Sequence, residues 1–471
     1  MAPVDGTCDA VVVGGGPAGC ATALALARGG RDVLVLEAAL EPTGRLAGEW
    51  IHPAGVGILS GLGVDLTGAG HSPGRGFVTY PDDGSSPVVI PYPDGVQAQA
   101  AEHRLLVGAL WSAARAHPRV AFAQQCRATH VEEGRVRYLD AATQTRRTAH
   151  APLIVGADGR ASLVRHSLGL ERTSTSLSRM AGFLIRDAAL PYENYAHVLL
   201  GGPGPVMLYR IAPGVVRVCV DIPVPQVRHR ALAAYLSHHY TPVFPPGLRR
   251  GFEEAIRSGA AQWAANRTAA RTAYGRDGLA LVGDATGHFH PLTASGLTLA
   301  FADAECLARA ASVEDYAENR TAATRTSETL STLLYEVLSG PGTGARTVRR
   351  SVYRLWRRSP AQCAATLSLL AAEEHRMARL WWAVLRPLLD VIGGTVRDLT
   401  VARTPEEFRR LATAVAESMA LLRWLATATR HRSASALPVW PSASTEHRFP
   451  AGARPPCSAS AGTRPLHDET T

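Results

Sequence analysis

Lysine is absent from the 471 residues, so all 49 basic side chains are arginine. Against 40 acids they leave a formal charge of +9. No dense basic run occurs, and the arginines mostly sit near acids or in C-terminal helical stretches, which argues against nucleic-acid binding. Also missing is any uncharged apolar run of about 18 residues. Arg386, Pro387 and Asp390 interrupt the most apolar C-terminal stretch, so a spanning helix is not expected, while a surface-lying one stays open. The seven cysteines are scattered, odd in number and without a CxxC pair, which excludes a disulfide framework or a zinc ribbon. MAPVDGTCDA at the start lacks a basic segment followed by an apolar one, and the expectation is a cytoplasmic chain.

What is present is a globular composition, 46% hydrophobic and 19% charged, at a length that suits two to four structural units. Val11-Val12-Val13 reads as a buried strand, and Gly14-Gly15-Gly16-Pro17-Ala18-Gly19 leads from it into an Ala-rich helical stretch to Arg28. A second apolar run, Val33 to Leu36, ends at Glu37 and completes a βαβ unit of about 30 residues. Glu102 to His117 shows helical periodicity, with Val120 to Phe122 a strand after it. Leu153-Ile154-Val155 and Leu279-Ala280-Leu281-Val282 are further buried-strand runs, the second leading to a helix over about 296–311. Between them, from about Met180 to Pro223, apolar and polar residues alternate as in antiparallel strands. Beyond Val313 the pattern is helical to Arg430, and the Ser-, Ala-, Pro- and Thr-rich remainder reads as a disordered tail.

The G-x-G-x-x-G of Gly14, Gly16 and Gly19 stands between a strand and a helix, the context a dinucleotide-binding turn requires. Gly14 permits the tight turn, Gly16 lets backbone approach a pyrophosphate, and Gly19 lets helix and strand pack closely. Pro17 and Ala18 open the helix, whose free N–H groups and partial positive charge suit phosphate. Glu37, with Ala38 beside it, lies where a carboxylate can accept hydrogen bonds from ribose hydroxyls. Two later motifs decide between nicotinamide and flavin: Gly156-Ala157-Asp158-Gly159, and Gly283-Asp284-Ala285 followed by Pro291 and Gly296. Ser295 reads as a helix cap rather than a nucleophile, because no G-x-S-x-G elbow surrounds it. His288 and His290 are two apart in a loop, which does not favour a metal site.

These motifs, in this order, resemble the aromatic-hydroxylase-like class of FAD-dependent monooxygenases. The resemblance narrows at Gly44-Arg45-Leu46-Ala47-Gly48-Glu49-Trp50-Ile51-His52-Pro53-Ala54-Gly55 and at His290-Pro291-Leu292-Thr293-Ala294-Ser295-Gly296-Leu297-Thr298. These are similar to the GE-L-x-P-G-G and H-P-L-T-G-G-G-M-T segments of squalene epoxidases. Ala54, Ala294 and Ser295 depart from the family's glycines and would reshape the pocket. Residues 204–223 and 333–338 continue the likeness.

The resemblance implies an α/β chain of glutathione-reductase and aromatic-hydroxylase type. A Rossmann-like FAD-binding domain would comprise 8–60, 95–175 and 270–312, and an interleaved antiparallel-sheet substrate domain 61–94 and 176–269. A C-terminal helical region would follow over 313–430, with the tail over 431–471. It further implies FAD held by Gly14, Gly16, Pro17, Ala18, Gly19, Glu37, Ala38, Arg45, Glu49, Arg104, Asp158, Gly159, Gly283, Asp284, Pro291, Ser295, Gly296 and Leu297. Asp284 would contact the ribityl chain, while Pro291 and Gly296 would position the reactive ring, with no side-chain nucleophile and no metal.

The implied reaction is epoxidation of an alkene in a lipophilic isoprenoid or terpenoid, squalene-like or a prenylated aromatic or indole. It would use O2 through a flavin C4a-hydroperoxide, with electrons from NAD(P)H through a separate flavin- or ferredoxin-type reductase. The same three motifs suit an FAD-dependent isoprenoid reductase or desaturase of the geranylgeranyl-reductase type. Trp356, Trp381, Trp382 and Trp424 among arginines suit peripheral contact with the inner face of a membrane, or a helical cap over the other domains.

Overall fold

A computed structural model describes residues 7–66, 68, 70–170, 174–223, 232–399 and 404–430. The tail expected over 431–471 lies outside the described residues. Three four-residue strands, Ala10–Val13, Val33–Leu36 and Leu153–Gly156, are buried along their whole length. Such runs carry no polar face, and a parallel sheet covered on both sides is where they fit. They lie in a six-stranded sheet ordered Gly275–Arg276, Leu279–Leu281, Leu153–Gly156, Ala10–Val13, Val33–Leu36 and Val120–Ala123. All neighbours pair in parallel except the first two. One consequence governs the site: the turns after Val13, Gly156 and Leu281 emerge side by side at the carboxyl edge of the sheet, where ligands of such folds collect.

Helices Pro17–Arg28, His103–Ala116 and Gly296–Arg309 share one apolar core with this sheet. The meander of Cys126–Glu132, Arg135–Asp140 and Thr145–His150 contributes to a second core, on the sheet's other face. The helix expected over 296–311 ends at Arg309, because Ser312 starts another by accepting from the Asp315 N–H; that helix runs Val313–Ser339.

A second sheet has seven strands, in the order Gln262–Thr268, Thr175–Arg186, Val215–Pro223, Val206–Ala212, Tyr195–Leu199, Gly76–Tyr80 and Val88–Pro91. It is antiparallel save where Tyr195–Leu199 runs parallel to Gly76–Tyr80. The alternation read in Val215–Pro223 does not mark a solvent face, since this strand is buried on both sides. Val216, Val218, Val220 and Ile222 meet Phe252 and Leu248 in one core. Arg217, Cys219 and Asp221 point the other way, and the two charged residues find partners inside the protein. The chain is therefore α/β, with a Rossmann-like domain, a largely antiparallel sheet and C-terminal helices Thr343–Arg358, Pro360–Leu370, Met377–Leu399 and Pro405–Arg430.

Candidate functional site

The first turn is set by glycine geometry. Gly14 has φ of +104°, and a Cβ there would stand 2.6 Å from the Ala157 carbonyl oxygen of the neighbouring turn. At Gly19 a Cβ would fall 1.9 Å from the Gly14 oxygen. Both positions demand glycine because two turns and a helix converge there. Gly16 differs, with open space where a side chain would be. Glu37 caps the arrangement: Gly15 N–H donates to Oε2 at 2.6 Å and Ala39 N–H to Oε1 at 2.7 Å. This half-buried carboxylate is oriented by backbone, and Ala38 beside it is exposed.

In the second turn Asp158 Oδ2 accepts from Leu163 N–H at 2.6 Å, while Oδ1 is buried without a partner among the described residues. Desolvation pushes this carboxyl above its ordinary range. Gly159 takes φ of +75°. Arg160 spans to the third turn, with Nε 3.2 Å from Asp284 Oδ2. Asp284 is thereby held half-exposed beside the second turn.

The third turn rests on a charged cluster the sequence reading did not single out. Gly283 N–H donates to Asp303 Oδ2 at 2.9 Å. Asp303 is fully buried between Arg271, which pairs with Oδ2, and Arg320, whose Nε is 2.7 Å from Oδ1. Arg165 Nη1 donates to the Thr286 carbonyl at 2.8 Å. Arg271, Asp303 and Arg320 are spread over fifty residues, with no motif to announce them.

The loop after this turn forms a 3-10 turn at Pro291–Thr293, passes through Ala294 at φ of +53°, and enters the Gly296–Arg309 helix. Pro291 and Gly296 are exposed, and among the described residues nothing occupies the space beside Gly296. Ser295 sits at the cap position as expected but makes no capping bond; its hydroxyl lies 2.8 Å from Thr293 Oγ1. Leu297 packs where a side chain on Gly48 would be. Thr298 Oγ1 is buried without a partner among the described residues.

Two residues expected at the cofactor are engaged with other side chains. Glu49 has both oxygens engaged by Arg217, and Tyr209 donates to Oε2 at 3.0 Å. Its side chain is wholly buried, which turns it into an internal ion pair rather than a ribose or ring ligand. Arg104 lies on the helix surface in an exposed pair with Glu41 at 3.3 Å, and it is His103 that reaches inward, to the Gly48 carbonyl at 3.0 Å. Arg45 is exposed, close enough to add to the burial that lowers the His103 pKa.

Sequence reading also passed over His52 and Tyr92. His52 Nε2 is 2.9 Å from the Thr293 carbonyl, and Nδ1 is 2.6 Å from Tyr92 Oη. A carbonyl only accepts, so Nε2 carries the proton. Burial lowers the imidazole pKa to about 4, which keeps it neutral, so Nδ1 accepts from Tyr92. Tyr92 in turn accepts from Trp50 Nε1 at 3.3 Å. Around this chain Trp50, Phe77, Tyr92 and Tyr209 form an apolar cluster that Ala294 of the loop adjoins. Among the described residues no group of three or more His, Cys, Asp or Glu side chains could hold a metal.

The arrangement defines a dinucleotide-binding flavoprotein fold. The chain resembles the flavin-dependent brominase Bmp2, with a TM-score of 0.65 and 18% identity over 84% of this chain and 100% of that one. It also resembles a flavoprotein/dehydrogenase from Cytophaga hutchinsonii, with a TM-score of 0.62 and 18% identity over 78% and 93%. An NAD(P)-binding Rossmann-like domain model matches residues 12–61, and a squalene epoxidase model matches residues 150–385, just over half of the sequence. The chain belongs to the squalene epoxidase family. It is 34% identical over 306 residues to squalene monooxygenase of Mus musculus, covering 63% of this chain and 53% of the mouse protein. The figures for the Rattus norvegicus protein are 33% over 308 residues, 63% and 53%. The chain thus spans about half the length of these curated relatives.

The cofactor that goes with this family is FAD, and the residues present fit it. Open space at Gly16 and Gly296 leaves room for backbone to approach a ligand, and among the described residues the second turn carries a buried Asp158 Oδ1 with no partner beside the half-exposed Asp284 of the third.

Proposed function

We propose that this protein is a FAD-dependent monooxygenase that epoxidises an alkene in a lipophilic isoprenoid or terpenoid. Gly14–Gly19, Glu37, Asp158 and Asp284 would hold the cofactor, and Pro291–Gly296 would set its reactive ring. When bound, FAD supplies the oxygen-transfer chemistry. The balance is one alkene, one O2, one NAD(P)H and one proton giving epoxide, water and NAD(P)+.

The observation that carries this reading is the apolar cluster of Trp50, Phe77, Tyr92 and Tyr209 against Ala294, hydrogen-bonded to the loop through His52. A packed aromatic cluster behind the loop would exclude water and suit a hydrocarbon. The free N–H groups of the Gly296–Arg309 helix offer positive potential where the ring's carbonyls would lie. His52 keeps Thr293 oriented, and the Tyr92 proton is committed to His52 Nδ1.

No helix among the described residues is long and apolar enough to cross a membrane. Exposed Trp382, Leu389 and Phe408 on the C-terminal helices, with arginines nearby, support peripheral contact with a membrane, from which an insoluble alkene would enter. Electrons would come from NAD(P)H through a separate reductase.

The test is to supply purified protein with FAD, a reductase, NADPH, labelled O2 and a panel of polyprenyl substrates. One labelled oxygen in the product is expected. A reduced or desaturated product without label would replace this reading with the isoprenoid reductase or desaturase alternative.

A further inference from the structure

Beneath the His290–Gly296 turn lies a buried polar cluster that belongs to none of the glycine motifs. Asp221, 2% exposed, offers Oδ1 to three donors: the Ser178 hydroxyl, Asn266 Nδ2 at 2.8 Å and His290 Nε2 at 3.1 Å. Its Oδ2 is buried without a partner among the described residues. His290 Nδ1 accepts the Leu292 backbone N–H at 3.3 Å, so Nε2 is the nitrogen that donates to Asp221. From the other side Ser331 donates to the His290 carbonyl at 3.2 Å, and the Tyr335 ring lies 4.2 Å from the imidazole. A strand of the seven-stranded sheet, the loop and the Val313–Ser339 helix are thus joined at one imidazole.

We propose that Asp221 is a positioning residue for the flavin loop: it fixes the protonated nitrogen of His290, and His290 fixes the Pro291–Gly296 turn. The inference rests on the FAD reading above. A buried carboxylate with one oxygen unspent is costly, and an apolar strand residue would pack there at less expense. What the carboxylate adds is a single imidazole orientation, which leaves Nδ1 facing the Leu292 N–H. It also places negative charge behind the turn on which the ring would rest.

Three variants of the FAD-loaded protein test this. In Asp221→Asn the amide oxygen keeps all three donors and the NH2 takes the Oδ2 position, so the hydrogen bonds survive and the charge is lost. Thermal stability is expected to stay close to that of the wild type while the midpoint potential of the bound flavin moves positive. His290→Ala removes the acceptor for Leu292; FAD binding is expected to weaken about tenfold, with the visible flavin band drifting towards that of free flavin. His290→Asn, whose Oδ1 can take the Leu292 N–H, should recover most of that affinity, and it carries the test if the alanine variant fails to fold. Wild-type protein that takes up no FAD sinks the functional reading and this inference together. Wild-type protein that binds FAD, with potential, band shape and affinity unmoved in Asp221→Asn and in both His290 variants, sinks this inference alone.

Discussion

Glu49 and Arg217 are 168 residues apart and meet through two contacts, Nε–Oε2 at 2.8 Å and Nη2–Oε1 at 2.6 Å, with both side chains shut off from solvent. The pair ties the segment after the first βαβ unit to the centre of the seven-stranded sheet. Two buried charges that satisfy each other are tolerated, whereas one left alone is not. Arg217→Met should therefore destabilise the protein by about 3–5 kcal/mol, read by chemical denaturation. The neutralised double variant Glu49→Gln, Arg217→Met should recover part of that loss. A single-variant cost below about 1 kcal/mol would show that water reaches the pair.

That pair also shows where the sequence was legible and where it was not. The glycine turns were readable because backbone geometry dictates glycine locally: the positive φ of Gly14 and the close approach at Gly19 are satisfied by one residue type at fixed spacing. The apolar runs of the parallel sheet were readable for the same reason, since burial on both faces leaves no polar position. The alternation around Arg217 and Asp221 announced antiparallel strands, which is what they are, but it did not say which partner each charge meets, because in a strand a polar residue at every second position has the same signature whether it meets water or a buried partner from another domain. Glu49, Asp303 and His52 depend on partners 168, 32 and 40 residues away, and no local pattern encodes such pairings.

Asp284 should be needed for the cofactor and dispensable for the fold. Its side chain is about half exposed and pairs with the exposed guanidinium of Arg160, a contact of little energetic consequence. Asp284→Ala should leave apoprotein stability within about 0.5 kcal/mol of the wild type. FAD affinity should fall roughly tenfold to hundredfold, the worth of hydrogen bonds to a charged group. Fluorescence titration of apoprotein with FAD reads the second quantity, and an unchanged dissociation constant would remove Asp284 from the cofactor site.

His52 makes the fold acid-sensitive. In the unfolded chain an imidazole takes up a proton below about pH 6.5, while in the folded protein burial keeps His52 neutral down to about pH 4. Between those values the unfolded state binds more protons, so stability falls as pH falls, by up to about 3 kcal/mol from this residue. His197, buried and lowered to about 4, adds in the same direction. Glu336, pushed up to about 7 by desolvation, acts oppositely, losing stability as pH rises from about 4.5 to 7. His52→Gln should flatten the decline between pH 6.5 and 4 without abolishing it. An identical slope in wild type and variant would mean that His52 is protonated in the folded protein.

Ala294 holds a left-handed conformation, φ +53°, where the family resemblance led us to expect glycine, and its methyl adjoins the aromatic cluster. The strain costs an alanine about 1 kcal/mol, while glycine in its place would give up about 0.4–1 kcal/mol through the greater freedom of the unfolded chain. Ala294→Gly should then leave stability nearly unchanged, and any change in activity can be read as a change in packing between the loop and the aromatic cluster. One methyl fewer on the wall is worth about 0.8 kcal/mol of packing, or roughly fourfold in kcat/KM between two alkenes that differ in bulk at the reacting carbons. Competition between a linear and a branched polyprenyl substrate measures it, the bulkier one gaining in the glycine variant. An unaltered ratio would place the reacting alkene away from Ala294 and the turn it interrupts.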